Sequence, residues 1–204
     1  MKIHDIKQGS NEWRDLRLGK ITGTRLKDVF AKDNTPLIDE LISEMGAGIT
    51  EPNFINFAMQ QGIEREPLAR EEYKKLYNFE IVETGFITPD DLDFLGCSPD
   101  GLICLDVNKY AGLEIKCPTA KTHVKYLRQN QIPNEYKYQI LNYFLCIDNC
   151  EFVDFVSYNP DFKPKPLFVF RAEKIDYIEQ IEEAKNELVK FYAKFLKYYD
   201  KIIF

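Results

Sequence analysis

Two stretches of the sequence decide its fold: Ser98-Pro99-Asp100-Gly101 and Gly112-Leu113-Glu114-Ile115-Lys116-Cys117-Pro118. In a β-strand, side chains alternate between the two faces, so the second stretch places Glu114 and Lys116 on one face and its apolar residues on the other. The turn-forming residues 108–112 predict a reversal between this strand and the short apolar run 102–107. The resulting antiparallel hairpin brings Asp100 close to Glu114, with Lys116 beside them.

The three charged side chains of this hairpin indicate a particular chemistry. Two neighbouring carboxylates are costly unless a cation lies between them. Carboxylate oxygens suit Mg²⁺ or Mn²⁺, and a nearby lysine can orient or deprotonate a water or neutralise charge on a phosphate. Asp-Gly is also an ordinary turn, and Glu-x-Lys often lies on a solvated strand face. Their order on one hairpin favours metal-assisted hydrolysis of a phosphodiester over that simpler interpretation.

The order Pro-Asp, hairpin, Glu-x-Lys resembles the motif of the PD-(D/E)xK nuclease superfamily. The flanking sequence resembles one family within it more specifically, the lambda-exonuclease or YqaJ-type viral recombinase family. That family's blocks occur here in the family's order, over roughly residues 8–160. They are Gln8-Gly9-Ser10-Asn11-Glu12-Trp13, Leu16-Arg17-Leu18-Gly19-Lys20-Ile21-Thr22-Gly23-Thr24, Gly62-x-x-x-Glu66-x-x-Ala69-Arg70-x-x-Tyr73, Cys97-Ser98-Pro99-Asp100-Gly101-Leu102, Leu113-Glu114-Ile115-Lys116-Cys117-Pro118 and Tyr136-x-x-Gln139-x-x-x-Tyr143.

The resemblance implies a metal site on the hairpin. Asp100, Glu114 and the backbone carbonyl of Ile115 match the family's metal-binding positions. Lys116 matches the position that helps to activate the attacking water. Glu66, on a predicted helix, matches a residue of the metal site that acts directly or through a bound water. The implied cofactor is Mg²⁺, with Mn²⁺ as a substitute.

The resemblance also implies a pocket for the 5′-terminal phosphate of DNA. Arg17 matches the family's phosphate-binding arginine, and a guanidinium suits a terminal phosphate because that group carries more charge than an internal diester. Thr24, Ser98 and Gln139 match neighbouring hydrogen-bonding positions, and threonine at position 24 keeps the hydroxyl of the serine that is common there. Gln139 is also expected in the catalytic set. Tyr143, four residues later, shares its helix face and is expected at the DNA.

The implied fold is a restriction-endonuclease-like core of the α/β (α+β) class, with a central mixed β-sheet flanked by helices. The implied activity is a Mg²⁺-dependent 5′→3′ exonuclease on linear double-stranded DNA that releases mononucleotides and leaves a 3′ single strand. By the same resemblance we expect a ring-shaped homotrimer, a single-strand annealing protein as partner, and a phage or prophage origin. Two alternatives stay open: an endonuclease or junction-resolving nuclease on the same fold, and a catalytically silent DNA-binding module.

Length and composition are typical of one cytosolic domain, and the resemblance implies that the host is bacterial. The 204 residues are enough for a sizeable core, and we expect a single nuclease domain over residues 1–204. The sequence contains no signal-peptide core and no run long enough to cross a membrane. The net charge of −6 does not resemble the basic footprint of most nucleic-acid binders. Partners respond to local patches, however, and basic residues are concentrated near the motifs. These are Arg14, Arg17, Lys20, Arg25 and Lys27, and then Lys116, Lys121, Lys125, Arg128 and Lys137.

The cysteines are predicted to be buried, reduced thiols. They lie in or beside apolar runs and form no C-x-x-C pair. Some members of the superfamily hold an iron–sulfur cluster with one cysteine before the nuclease core and three after it. The spacing here does not match that arrangement, so no iron–sulfur cluster is expected. The five cysteines are Cys97, Cys104, Cys117, Cys146 and Cys150.

The remaining pattern predicts the other elements. Ser10 is expected to cap a helix over residues 11–16, Thr35-Pro36 to begin another, and Pro67 to weaken or kink a long one. His123 is a lone histidine, which is more often structural than catalytic. Helices are predicted over residues 22–30, 35–45, 53–77, 121–129, 135–146 and 175–199. Strands are predicted over residues 80–87, 94–97, 102–107, 113–117, 152–158 and 167–171.

Overall fold

The computed structural model describes residues 1–49 and 57–203. Its α-helices are α1 (Asn11–Arg17), α2 (Leu26–Val29), α3 (Thr35–Ala47), α4 (Phe57–Tyr77), α5 (Ala120–Gln129), α6 (Lys137–Cys146) and α7 (Ile178–Ile203). Its β-strands are β1 (Lys2–His4), β2 (Glu80–Val82), β3 (Phe86–Thr88), β4 (Gly101–Asp106), β5 (Lys109–Lys116), β6 (Cys150–Tyr158) and β7 (Leu167–Glu173). Short 3₁₀ turns, Asn134–Tyr136 and Lys174–Tyr177, lead into α6 and α7.

A five-stranded sheet in the order β2-β4-β5-β6-β7 forms the centre of the fold. Neighbouring strands are antiparallel except β5 and β6, which are parallel. A parallel pair requires a long crossover, and here the crossover contains α5 and α6. Helix α4 contacts β5, and α6 contacts β6. The predicted mixed sheet flanked by helices is therefore confirmed.

The predicted hairpin is formed by β4 and β5. Gly101 lies opposite Leu113 in the antiparallel register, and the Asp100 N–H donates to the Leu113 carbonyl over 3.0 Å. The chain reverses at Asn108, whose φ of 57° lies in the left-handed region that asparagine tolerates. Asp100 is thus placed opposite Glu114 at the open end of the hairpin.

Apolar side chains pack on both faces of the sheet. On one face, Leu113 and Ile115 of β5 pack together with Tyr73 of α4. On the other face, Phe155 of β6 belongs to a larger core that includes residues of α6. The Glu114 side chain, only 1% exposed, lies on this second face, where it contacts α6. The period-2 alternation that the sequence predicted for β5 is therefore present.

The N-terminal helix is capped as predicted. The Ser10 hydroxyl accepts a hydrogen bond from the Trp13 N–H over 3.2 Å. Helix α3 begins at the predicted Thr35-Pro36 and ends at Gly48, whose φ of 68° suits glycine. Helix α4 continues through Pro67 without interruption. The predicted start of this helix at residues 53–56 lies outside the described residues.

The predicted strand over residues 80–87 is wrong, because the chain there forms two strands in two different sheets. Strand β2 joins the central sheet, whereas β3 pairs with β1, a strand that the sequence did not predict. The division falls at Gly85, where a Cβ atom would lie 2.0 Å from the Ile6 carbonyl oxygen. The amide of Gln8 also donates to the Thr84 carbonyl over 2.9 Å. Contacts with the N-terminal segment therefore redirect the chain between the two strands.

Two further predicted elements are shorter than expected. Residues 94–97 form only single bridges, Leu95 with Ile21 and Cys97 with Ile87. The helix predicted over residues 22–30 is α-helical only in α2, because its first residues form a tight turn in which the Thr22 carbonyl accepts from Leu26 over 2.9 Å. Every helix within residues 1–49 and 57–203 is too short or too polar to span a lipid bilayer.

Candidate active site

The structure brings the three charged residues of the hairpin together. One carboxylate oxygen of Asp100 accepts the N–H of Ile115 over 2.6 Å, which fixes it against β5. Glu114 forms an ion pair with Lys116 two residues later on the same face of the strand. The Lys116 ammonium also lies 5.3 Å from the centre of the Tyr136 ring. The predicted pairing of two carboxylates with a lysine is therefore present in the structure.

Helix α6 supplies two more of the expected residues, and both contact Glu114. The Gln139 amide donates to one carboxylate oxygen over 3.0 Å, and the Tyr143 hydroxyl donates to the other. The spacing of four residues places both side chains on the same side of the helix. With Lys116, these donors occupy both oxygens of Glu114 and hold the carboxylate in one orientation.

Negative charge is concentrated at the hairpin. Burial raises the pKa of Asp100 well above its usual value, and the neighbouring Glu114 and Glu66 raise it further. Burial alone would lower the pKa of Lys116, but the attraction of Glu114 and Asp100 outweighs burial and raises it. Lys116 is thus the cationic partner of Glu114 and Asp100 in this arrangement.

Glu66 lies near the hairpin, but its partner is an arginine of its own helix. Arg70 pairs with Glu66 over 2.7 Å and with Glu83 over 2.8 Å. Its Nε–H also donates to the backbone carbonyl of Asp100 over 2.8 Å. Burial raises the pKa of Glu66, and Glu114 adds to the rise, whereas Arg70 and Lys116 oppose it. Arg70 thus links the helix to the backbone of the first carboxylate residue.

The oxygen atoms at the hairpin suit a Mg²⁺ ion that is bound by only a few protein ligands. Among residues 1–49 and 57–203, no three acidic, histidine or cysteine side chains converge as a ready-made metal cluster. Mg²⁺ is usually bound by one or two carboxylates and keeps several waters. Asp100 and Glu114, with the carbonyl of Ile115, match that requirement, and their mutual repulsion is relieved by a cation between them. Glu66 is turned towards Arg70, which favours contact through a water.

Arg17, at the end of α1, occupies a partly buried position beside the motif. Its guanidinium carbon lies 4.1 Å from the centre of the Trp13 ring and 5.7 Å from that of Phe86. It donates to the Ser98 hydroxyl over 3.2 Å, and the Trp13 indole N–H donates to the same hydroxyl over 2.9 Å. Burial lowers the pKa of Arg17 to about 10. Within residues 1–49 and 57–203, no carboxylate lies within ion-pair distance of it.

Thr24 is less closely connected to this pocket than the other expected residues. Its side chain is exposed, and its hydroxyl lies 3.4 Å from that of Thr22. The preceding residue, Gly23, packs directly against α6, because a Cβ atom there would lie 3.1 Å from the Cα atom of Gln139. The segment therefore meets the site through Gly23, and no hydrogen bond joins Thr24 to Arg17 or Ser98 in the described structure.

His123 lies outside the site. It is fully buried on α5, with Nδ1 2.7 Å from the Ser157 hydroxyl and Nε2 2.9 Å from the Lys165 carbonyl oxygen. Both ring nitrogens therefore have partners in the core, and the structural interpretation of this histidine is the one that the geometry supports.

Sequence reasoning assigned no role to three residues that shape the site. Gln8 donates to the Pro99 carbonyl over 3.1 Å, Trp13 donates to Ser98, and Arg70 donates to the Asp100 carbonyl. Together they support three successive residues of the first motif. All three belong to the quoted sequence blocks, which was the available signal, but the contacts join positions far apart in the chain.

The fold and the site define a class of protein. Of the solved structures, an alkaline exonuclease from Laribacter hongkongensis (LHK-Exo) is similar to this chain, with 31% identity, a TM-score of 0.83 and coverage of 95% of this chain and 96% of that chain. The same enzyme solved in complex with dAMP matches equally well. A phage-related exonuclease from Haemophilus somnus 129PT shares the fold, with a TM-score of 0.60 at 15% identity over 90% of this chain and 95% of that chain. The chain thus has the fold of a nuclease.

The family assignment is equally direct. The chain belongs to the YqaJ-like viral recombinase domain family, whose model matches residues 12–149. The matched segment contains Arg17, Glu66, the complete β4–β5 hairpin and helix α6. No curated protein sequence matches the chain significantly. The family resemblance predicted from the sequence blocks is confirmed.

Proposed function

We propose that the chain is a Mg²⁺-dependent 5′→3′ exonuclease that acts on linear double-stranded DNA, releases mononucleotides and leaves 3′ single-stranded ends. The observation that carries this proposal is the setting of Arg17. Its guanidinium is partly buried and lies against Trp13, and the Ser98 hydroxyl is its polar side-chain partner. An arginine in that setting beside a hydrolytic site is suited to a terminal phosphate.

Arg17 is a cation that pairs with no carboxylate among residues 1–49 and 57–203. A buried charge is costly unless it is paired, and the lowered pKa of Arg17 reflects this cost. A phosphate supplies the missing charge, and a terminal phosphate supplies more than an internal diester. The Ser98 hydroxyl already accepts N–H donors from Trp13 and Arg17, so its own proton is left to donate to a phosphate oxygen.

The position of the pocket explains why cleavage would begin at an end. Ser98 is separated from Asp100 by a single residue, so a phosphate bound at Arg17 and Ser98 lies next to the paired carboxylates. The phosphodiester nearest that terminal phosphate then reaches the hairpin. Covalently closed DNA has no terminal phosphate to occupy the pocket and is a poor substrate.

The residues of the hairpin perform the proposed chemistry as follows. A Mg²⁺ ion held by Asp100, Glu114 and the Ile115 carbonyl would supply a water of lowered pKa and polarise the phosphate. Lys116 would act on the attacking water and offset the charge that develops on the phosphoryl oxygens. Gln139 and Tyr143 keep the Glu114 carboxylate in position through their hydrogen bonds.

The relatives support the finer parts of the proposal. LHK-Exo was solved with dAMP, a deoxynucleoside monophosphate of the kind that this reaction would release. The family is described as viral recombinase domains, which supports an origin in a phage or prophage and action in the bacterial cytoplasm. A ring-shaped homotrimer and a single-strand annealing protein as partner complete the proposed role in recombination.

The test compares two DNA substrates in the presence of Mg²⁺. One is a linear duplex with an internal label and a single 5′-phosphorylated end, and the other is a closed circular duplex. We expect mononucleotides from the phosphorylated end and an intact circle. Cutting of the circle would establish an endonuclease instead, and DNA binding without cleavage of either substrate would establish a silent binding module.

A further inference from the structure

The charged side chains of helix α5 are all basic. They are Lys121, Lys125 and Arg128, and the helix contains no aspartate or glutamate. The spacing i, i+4, i+7 places the three side chains on one side of the helix, and all three are exposed. In a chain with a net charge of −6, this side of α5 is a local concentration of positive charge.

Several lysines on the other long helices pair with a glutamate of their own helix. In α4, Lys75 pairs with Glu72 over 2.8 Å. In α7, Lys185 pairs with Glu182 over 3.0 Å and Lys190 pairs with Glu187 over 2.6 Å. No such pair is present for the three cations of α5 among the carboxylates of residues 1–49 and 57–203. Their charge is therefore available to a partner.

The position of α5 relates this charge to the active site. The helix follows β5 after only Cys117, Pro118 and Thr119. Its Tyr126 ring lies 6.4 Å from that of Tyr136, and the Tyr136 ring centre lies 5.3 Å from the Lys116 ammonium. On the inner side, the buried His123 holds the helix to β6 through Ser157. These contacts fix the helix beside the strand that carries Glu114 and Lys116, and its basic side faces solvent on the opposite side of the helix.

We propose that the basic side of α5, formed by Lys121, Lys125 and Arg128, binds the phosphodiester backbone of the duplex DNA that enters the active site. This inference rests on the proposed nuclease function and adds the surface that holds the substrate. At 1.5 Å of rise per residue, the three side chains span about 10 Å. One DNA strand carries a phosphate about every 3.4 Å along its axis, so the surface matches about three nucleotides. Such contacts position DNA of any sequence.

The experiment measures the salt dependence of DNA binding in proteins that bind but do not cleave. All proteins carry Lys116→Ala, and the ligand is a linear 5′-phosphorylated duplex. The test protein adds K121Q, K125Q and R128Q. The matched control adds K75Q, K185Q and K190Q. These substitutions remove the same amount of charge, but from lysines that are each paired with a glutamate of their own helix. Thermal unfolding of each protein verifies that the exposed substitutions leave the fold intact.

Each phosphate contact contributes about 0.9 to the slope of log affinity against log salt concentration. We expect the slope to fall by about 2.7 in the test protein and to be unchanged in the control. Between 50 and 200 mM salt, the parent would then lose about 40-fold more affinity than the test protein. With Lys116 restored, the same three substitutions should raise KM for DNA and leave kcat at saturating DNA unchanged.

Two results would overturn the inference: an unchanged slope in the test protein, or an equal decrease in the control, which would mean that only net charge matters. A parallel digestion by the unsubstituted protein separates this failure from a failure of the proposed function. If linear duplex is degraded but the slope is unchanged, the assignment of α5 is wrong and the nuclease function stands. If the unsubstituted protein neither binds nor degrades duplex DNA, the proposed function fails and the inference fails with it.

Discussion

Two buried carboxylates on neighbouring strands have opposite electrostatic settings. Glu114 of β5 is 1% exposed and Asp154 of β6 is fully buried, and they lie on opposite faces of the sheet. Asp154 accepts two hydrogen bonds of 2.8 Å from Arg171 and one of 2.5 Å from the Tyr73 hydroxyl. Glu114 also has donors to both oxygens, but its charge adds to the raised pKa values of both Asp100 and Glu66, which burial raises first.

The difference is consistent with two roles. We call Asp154 with Arg171 the balanced cluster, which stabilises the fold, and Glu114 with Asp100 and Lys116 the excess-charge cluster, which suits the proposed chemistry. At Asp154, one arginine matches one carboxylate, and the Arg171 guanidinium also stacks 3.5 Å above the Phe152 ring centre. Nothing further is needed to neutralise that cluster. At Glu114, Lys116 is shared between Glu114 and Asp100, while Arg70 pairs with Glu66, so negative charge remains for a cation. Balanced charge on one face of the sheet and excess negative charge on the other are consistent with a structural and a catalytic role, respectively.

The largest expected effect follows from removal of the lysine at the excess-charge cluster. Lys116→Ala should lower cleavage of linear duplex by about 10³-fold or more, because it removes the cation that acts on the water and the phosphate. Folding and metal binding should be largely intact, since Gln139 and Tyr143 still donate to Glu114. Single-turnover cleavage and thermal unfolding provide the measurements, with Lys75→Ala as the control. Full activity in Lys116→Ala would refute the mechanism.

At the balanced cluster, a substitution should lower stability and leave activity unchanged. Arg171→Leu leaves the buried Asp154 without its cation, and loss of one partner of such a pair costs about 3 kcal/mol. For a chain of this size, the unfolding midpoint should fall by about 6–12 °C, whereas kcat at a temperature where the variant is folded should be unchanged. A loss of kcat with an unchanged midpoint would reverse the roles assigned to the two faces.

A smaller effect is expected at the phosphate pocket. Arg17→Ala removes charged hydrogen bonds, which contribute about 1.5–3 kcal/mol, so the preference for 5′-phosphorylated over 5′-hydroxyl ends should fall by about 10–100-fold. Arg14→Ala, on the same helix but exposed, is the matched control and should keep the preference. Competition between the two kinds of end gives the measurement. An undiminished preference in Arg17→Ala would show that the terminal phosphate binds elsewhere.

The smallest expected effect is the rise of the unfolding midpoint when Mg²⁺ binds, which should depend on the excess-charge cluster and not on the balanced one. With Mg²⁺ in about fivefold excess over its Kd, binding should stabilise the protein by about 1 kcal/mol and raise the unfolding midpoint by about 2–4 °C. Asp100→Asn should abolish this rise. Asp154→Asn should lower the midpoint itself but retain the Mg²⁺-dependent rise. Equal loss of the rise in both variants would mean that the metal effect is not specific to the hairpin.

The hairpin and its charged residues were predictable because the information is local. Strand alternation placed Glu114 and Lys116 on one face, and the turn at Asn108 placed Asp100 opposite them. Helix periodicity similarly placed Gln139 and Tyr143 together. These relations depend on residues close in sequence, where backbone geometry alone determines which side chains meet.

The missed features depend on contacts between distant segments. The chain divides at Gly85 because Ile6 packs against it, and nothing near residue 85 signals that contact. The role of Arg70 depends on how α4 is placed beside the hairpin, and the detachment of Thr24 depends on Gly23 packing against α6. Tertiary packing determines each of these features, whereas residues close in sequence determine the β4–β5 hairpin.

The separation of the site into two segments of chain has an evolutionary consequence. Asp100, Glu114 and Lys116 all come from one hairpin, whereas Arg17 and Trp13 come from the N-terminal helix and reach the hairpin region mainly through Ser98. Under the proposed function, cutting and end recognition are therefore inherited on separate pieces of the gene. Substitutions at or around Trp13 and Arg17 can change which DNA ends are accepted while the hydrolytic step stays intact.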